Sequence, residues 1–466
     1  MAKGKRKMSV ADVAIVGAGV VGCALARRFA LEGAKVVLLE RGADLLSGAS
    51  KANSAILHTG FDAPSGSVEL SCMQAGYAEY LAIRESFNLP LLETGAMVVA
   101  WSEAERTALD GIEAQARANG VNDIRRLTAS EIRAREPELS PRALEALLVP
   151  GEHVIDPWSP FLAYLLQAKA HGAEIAFATE VVSGAFDRGT WTLQTTTGEQ
   201  RARTVINCAG LYGDRLDARL LGAASFQIRP RKGQFVVFDK AAAKLLGTII
   251  LPVPSERTKG VVLTRTAFGN VLVGPTAEEQ DDRERATVEE SALRGLIARA
   301  VEMVPALAHV GVTALYAGLR PATEEKGYRI ATHRDRNWIT VGGIRSTGLT
   351  ASLGIAQHIY KLYEQMGNSH VAVADPASPC VPNLAEHRPR DWQSAGYGEI
   401  VCHCEMVTLR EIELALSGPL PAGDFGGLRR RTRCGMGRCQ GFYCNARLAE
   451  LTANHFASPL AVEDAA

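Results

Sequence analysis

The sequence predicts an α/β fold in three parts: a parallel sheet with a nucleotide site, an antiparallel sheet inserted into it, and a small helical domain at the C-terminal end. Three observations carry this. A strand, a glycine-rich turn, a helix and a second strand follow one another over residues 12–40, the pattern of a βαβ unit. Between residues 227 and 274 helical periodicity gives way to β-branched strands. Of nine cysteines, Cys402, Cys404, Cys434, Cys439 and Cys444 crowd into the last segment.

Residues 12–16 read as an apolar strand, 17–22 as the turn, 20–31 as a helix and 35–40 as the second strand. Helical patterns follow over 70–86, 103–119 and 159–171, with strand-like runs at 96–100, 175–178 and 204–208. Strands at 234–238, 260–264 and 270–273 suit a sheet lying over a substrate cavity. A helix over 288–303, a strand over 338–341 and a helix over 350–365 complete this part. Pro376, Pro379, Pro382 and Pro389 then mark an extended connection. The expected division is a large module over residues 1–370, a linker over 371–397 and a cysteine-rich domain over 398–466.

The chain has 466 residues, more than one core of about 100–250 residues accommodates. Lys+Arg and Asp+Glu balance at 51 each, so no net field favours nucleic acid or an anionic membrane. The basic start (Lys3, Lys5, Arg6, Lys7) precedes an apolar stretch that contains Asp12 and runs into the glycine turn, which argues against a secretory signal. The uncharged run 13–26 falls short of the ~20 residues a spanning helix needs. The expectation is a cytoplasmic protein with no transmembrane segment. An odd number of locally clustered cysteines points to metal ligation in a reducing compartment, not to disulfides. Cys23, Cys72 and Cys208, in helix or strand patterns, read as buried small apolar groups.

Gly17, Gly19 and Gly22 form GxGxxG at the mouth of the first helix, and Glu40 ends the next strand. The first glycine permits the tight turn, the second lets backbone approach a pyrophosphate, and the third lets helix and strand pack closely. Glu40 is placed to accept ribose hydroxyls. FAD and NAD share this fingerprint, so further segments must decide between them. Gly48-Ala49-Ser50, Asn53-Ser54, His58-Thr59-Gly60, Glu180-Val181, the strand 204–210 and Gly342-Gly343-Ile344-Arg345-Ser346-Thr347-Gly348-Leu349-Thr350 do so. Together they resemble the FAD-dependent enzymes of the D-amino-acid oxidase superfamily over about residues 10–365.

That resemblance implies a Rossmann-like FAD-binding domain with an inserted antiparallel substrate domain. It assigns FAD contacts to Gly17, Gly19, Gly22, Glu40 and Arg41, then to Ser50, Asn53 and Ser54 beside the pyrophosphate. Val181 takes the adenine side, Ala209 and Gly210 end the returning strand, and Gly343, Ser346, Thr347, Gly348, Leu349 and Thr350 form the closing turn at the flavin edge. Within the superfamily, residues 58–61, 64–67 and Tyr316-Ala317-Gly318-Leu319-Arg320-Pro321 are most similar to glycerol-3-phosphate and L-2-hydroxyglutarate dehydrogenases. One departure is that many glycerol-3-phosphate enzymes have KGSH where this chain has Lys232-Gly233-Gln234-Phe235.

Oxidising an alcohol requires loss of a hydride from carbon and of the hydroxyl proton, so a base near the flavin is expected, and His58 is the candidate. Its alternative is a histidine that only hydrogen-bonds the flavin or a loop. Arg320, in a Gly-Leu-Arg-Pro turn, can hold a carboxylate or phosphate by two parallel hydrogen bonds, or form a structural ion pair. Arg345 could contact substrate or flavin, and Tyr316 and Gln234 are expected to line the cavity or to pack ordinarily.

Cys402-His403-Cys404 precedes a helix over 408–417, and residues 430–444 carry Cys434, Cys439 and Cys444 with glycines at 435, 437 and 441. Glycines let backbone N–H groups turn toward sulfur, and nearby arginines offset a negative cluster. The arrangement resembles the [2Fe-2S] domain of bacterioferritin-associated ferredoxin, from which Cys402, Cys404, Cys439 and Cys444 carry over as ligands. Cys434 and Cys439 share the same four-residue gap, so that pairing stays open, and zinc is the rival metal.

The resulting expectation is an FAD-dependent dehydrogenase acting on a small anionic hydroxy compound, with a [2Fe-2S] cluster passing electrons to a partner subunit or quinone-linked acceptor in a hetero-oligomer. An amine or opine dehydrogenase with the same cofactors, and a redox sensor or electron carrier without substrate, are the rivals.

Overall fold

Apolar runs without polar alternation form strands buried on both faces of a parallel sheet. The computed structural model describes residues 10–254 and 260–460, and the basic start at Lys3, Lys5, Arg6 and Lys7 lies outside them. Its first sheet has Ala11–Val16 at the centre, paired in parallel with Val36–Leu39 on one side and with Gly198–Asn207 on the other. Trp338–Gly342 and Glu174–Ala176 extend it in parallel, while Val181–Asp187, Thr190–Thr195 and Arg329–His333 add antiparallel edges. Helices Val20–Leu31, Ser159–Ala170 and Gly348–Gln365 share one core with Ile15, Leu38, Ile206 and Ile339. Trp191, Leu193, Leu216 and Trp338 fill the opposite face.

The second sheet is antiparallel except where Ile249–Pro252 runs parallel to Ala96–Ala100. It recruits Arg125–Thr128 and Glu145–Val149 as well as the strands of 227–274, so it is assembled from two separate stretches of chain. Its longest pairing joins Ile228–Phe238 to Val312–Thr323, with Arg231 opposite Arg320 and Phe235 opposite Tyr316. Arg320 therefore stands in a strand, not in the turn that Gly318 and Pro321 suggested. Pro321 faces Pro230 across the pair, so two residues without N–H oppose one another.

From Gln365 to Ile400 the described chain has only the 3₁₀ turn Asp391–Gln393, but it is pinned to the surface. Val373 N–H reaches Leu31 O (2.8 Å), Val381 N–H reaches Phe87 O (3.2 Å) and Glu386 N–H reaches Ala267 O (2.9 Å). The cysteine-rich part pairs Ile400–Cys402 with Val407–Thr408 and packs Leu409–Ser417, Phe425–Thr432 and Asn445–Thr452 around Val401, Val407, Ile412, Leu428 and Leu448. Thr408 and Glu411 close a capping box at the first of these helices. No described helix is long and apolar enough to cross a membrane.

Candidate functional site

Ligands of open α/β sheets sit beyond the carboxyl ends of the strands, and here a cavity of about 890 Å³ opens past Val16, Leu39, Cys208 and Val341 and under the second sheet. Gly17 has φ +108°, and a Cβ there would lie 2.5 Å from Cys208 O. A Cβ on Gly22 would overlap Gly17 O, so that glycine serves helix–turn packing and does not line the cavity. Ser50 Oγ accepts from Val20 N–H (3.1 Å) at the start of the first helix. The Glu40 carboxylate accepts from Ala18 N–H (2.6 Å) and Gly42 N–H (2.7 Å). Burial pushes its pKa up, and the two amides oppose that shift.

Gly19, Glu40, Arg41, Ser50, Asn53, Ser54, Val181, Ala209 and Gly210 all line this cavity, with Gly343, Ser346, Gly348 and Leu349 at its other end. Arg41 lies over the Tyr212 ring at 3.9 Å. Two members of the closing turn direct their side chains elsewhere. Thr347 Oγ1 donates to Glu69 (2.8 Å), and Thr350 Oγ1 accepts from His58 N–H (3.0 Å). A wall of glycine that a Cβ would obstruct, the start of a helix and an acidic residue at the ribose position fit the pyrophosphate and ribose of FAD.

Of the reaction groups, Arg320 and Arg345 line the cavity. Arg320 donates to three carbonyls, Thr276 O (2.7 Å), Lys232 O (3.2 Å) and Arg231 O (3.5 Å), and no described carboxylate pairs with it. Burial, with Arg231 and Arg345 nearby, pushes its pKa down to about 10. Arg345 donates to Lys326 O.

Tyr316 and Gln234 do not line the cavity. Tyr316 is held beside Phe235 on the same face of the sheet: its hydroxyl donates to Asn53 O (2.8 Å) and its ring stacks on Phe235 at 4.7 Å. Strand alternation sends Gln234 to the far face while Gly233 and Phe235 face the cavity. Its amide is taken up by Glu278 (2.8 Å) and Glu289 N–H (2.6 Å).

His58 is also absent from the lining. Its Nδ1 stands 2.6 Å from Glu152 Oε2, and the same fully buried carboxylate accepts from Thr59 N–H (2.6 Å) and Thr59 Oγ1 (2.8 Å). Sequence reading missed Glu152, because 94 residues separate it from His58 and no local pattern marks it.

The C-terminal thiols stand in two facing pairs, Cys404 with Cys439 and Cys402 with Cys444. Among the described residues they do not close into a group of three or more metal ligands. Amides of Tyr443, Gly441 and Phe442 donate to Cys439 sulfur and hold its pKa below the ordinary thiol value. Burial pushes Cys434 and Cys444 up to about 12. Four thiols, one of them met by three backbone N–H groups, suit an iron–sulfur cluster.

Residues 12–362 match the FAD dependent oxidoreductase family, and residues 400–454 match the BFD-like [2Fe-2S] binding domain. A glycerol 3-phosphate dehydrogenase of Caloramator mitchellensis is 30% identical over 450 residues, 95% of this chain and 94% of that protein. One polypeptide of the anaerobic glycerol-3-phosphate dehydrogenase of Escherichia coli K12 is 27% identical over 513 residues, covering 96% of this chain and 88% of that one. The dithionite-reduced L-alpha-glycerophosphate oxidase of Mycoplasma pneumoniae, solved with FAD bound, superimposes with a TM-score of 0.74 at 29% identity, over 80% of this chain and all of that one. With the nucleotide cradle and the thiol pairs, these likenesses make FAD and a [2Fe-2S] cluster its cofactors, and the chain belongs to the FAD dependent oxidoreductase family with a BFD-like [2Fe-2S] binding domain at its C-terminal end.

Proposed function

We propose that this enzyme oxidises a small anionic hydroxy compound of the glycerol 3-phosphate or 2-hydroxy acid type. Its electrons leave through the cysteine-rich domain to a partner subunit or quinone-linked acceptor. When bound, FAD supplies a hydride acceptor and the [2Fe-2S] cluster a one-electron carrier.

The observation that carries the reading is Arg320. A half-buried guanidinium in a cavity wall beside Arg345, bonded to carbonyls and, among the described residues, to no carboxylate, bears a desolvation cost that an anionic ligand relieves. Arg320 binds the anionic group and so fixes the carbon that gives up hydride. The Tyr316–Phe235 stack stiffens the same face of the sheet beside it. Lys232, beside the KGSH-like position, is not a second anchor, because Glu278 (2.9 Å) and Glu289 neutralise it. His58 stands outside the cavity lining with Nδ1 held by Glu152 (2.6 Å), which supports a histidine that orders its loop over one that takes the hydroxyl proton. The relatives named above carry glycerol 3-phosphate in their names, and others carry L-2-hydroxyglutarate, which supports an anionic alcohol over an amine.

The test is anaerobic mixing of the holoprotein with glycerol 3-phosphate, L-2-hydroxyglutarate, sarcosine or an opine while flavin absorbance is followed. Bleaching by a hydroxy anion is expected. Bleaching by sarcosine or the opine alone would overturn the alcohol reading, and no bleaching by any of the four would overturn the substrate class.

A further inference from the structure

Asp44 lies in the loop that leads from the strand Val36–Leu39 to the cavity-lining residues 47–54 and is fully buried. Its carboxylate reaches out of the flavin module. It accepts from both Nη atoms of Arg431 (2.7 and 3.1 Å) and from Gly423 N–H (3.0 Å), as well as from its neighbour Leu45 N–H (2.7 Å). Arg430 Nη2 donates to Leu45 O (3.0 Å). Gly423 approaches so closely that a Cβ there would overlap Ala43 O.

A second set of contacts joins the cysteine-rich domain to the inserted sheet. Buried Glu405, next to Cys404, binds Arg433 (2.8 Å) and Lys240 (3.4 Å). Arg433 lies over the Phe268 ring at 3.9 Å, and Arg438 pairs with Asp239 at 3.0 Å. The domain thus spans both parts of the flavin module.

We propose that the Asp44–Arg431 pair is a clamp that keeps the cysteine-rich domain at one fixed distance from the flavin cavity, which makes Asp44 a positioning residue for electron transfer between the two. A carboxylate satisfied by a bidentate guanidinium and two amides has one arrangement, and it fixes the domain itself, whereas the bonds of segment 371–397 fix only the connection. The proposal rests on the functional reading above for its electron source. Each alcohol converted to a carbonyl releases two electrons and two protons. The electrons leave singly, so two equivalents of a one-electron acceptor, ferricyanide in the assay, are reduced per turnover.

The experiment compares full-length holoprotein with Asp44→Asn and with Arg430→Gln, a milder change that removes the bond to Leu45 O and the longer pairing with Asp424 (3.9 Å) within the cysteine-rich domain. Flavin bleaching and cluster reduction are timed after anaerobic mixing with glycerol 3-phosphate, and limited proteolysis within 371–397 is followed without substrate. Asp44 does not line the cavity, so bleaching is expected to stay within about twofold of wild type. Because a broken buried pair is strongly unfavourable, Asp44→Asn is expected to slow cluster reduction and to speed linker cleavage, each by about tenfold or more. Arg430→Gln is expected to shift both in the same directions by less, and it decides the matter if Asp44→Asn does not fold.

Unchanged cleavage would overturn the clamp. Faster cleavage with unchanged cluster reduction would overturn the positioning role and leave a merely structural pair. If glycerol 3-phosphate bleaches neither wild type nor variant, the substrate reading fails on its own. Light-driven reduction of the flavin with EDTA as the sacrificial electron donor then supplies electrons, and the same two readouts judge the clamp.

Discussion

Among the described residues every hydrogen bond of the Arg320 guanidinium goes to a neutral carbonyl, which orients it without spending its charge, as the proposed anion anchor requires. A charge-assisted hydrogen bond is worth about 1.5–3 kcal/mol, so Arg320→Ala is expected to raise KM for the hydroxy anion by roughly 10- to 100-fold. Steady-state kinetics beside flavin content checks this: FAD should remain bound, and an unchanged KM would remove Arg320 from the site. Arg320 and Arg345 were legible as residues because few side chains recognise an anionic group by a planar fork. Gln234 was misplaced although its strand was correctly recognised. The two-residue period sends it to the opposite face from Gly233 and Phe235, a rule that could have been applied to the sequence alone.

Elements with a clean period were the legible ones. The helix Val20–Leu31 and the strand Ala96–Ala100 have the bounds the pattern predicts. The strand Val312–Thr323 hid behind Gly318 and Pro321, which punctuate turns far more often than long strands. The helix Phe425–Thr432 went unread because Gly426, Gly427 and three consecutive arginines leave it no apolar stripe. A further element-scale feature left no periodic trace. Helices Val68–Ile83 and Gly348–Gln365 meet backbone to backbone, where a Cβ on Gly76 would overlap Thr350 O and one on Gly354 would overlap Cys72 O. In an isolated helix Gly→Ala gains about 1 kcal/mol. Here overpacking against a carbonyl costs about 1–3 kcal/mol, so Gly354→Ala is expected to lower stability in denaturant unfolding. It should also loosen FAD, since the helix start at Gly348 lines the cavity; a stabilised variant with unaltered FAD affinity would refute the close contact.

At the scale of the molecule, two sheets make a cleft for FAD and its substrate, and a third, separately cored domain is tied across their outer side. Cysteine clustering and proline content are compositional signals, and the two family matches, over residues 12–362 and 400–454, follow one another in the order those signals suggest. The long-range pairs His58–Glu152 and Asp44–Arg431 were not, since each joins residues whose local sequence says nothing of the other. In the proposed function both scales count: the cavity selects the reductant, and the docking sets whether its electrons reach the thiol pairs. The most direct measurement is electron paramagnetic resonance of holoprotein frozen at intervals after anaerobic mixing with glycerol 3-phosphate, beside flavin absorbance. A cluster signal that rises after flavin absorbance falls, and that is missing in a Cys439→Ser variant, is the expected result. Bleached flavin with no cluster signal at any time would contradict the account.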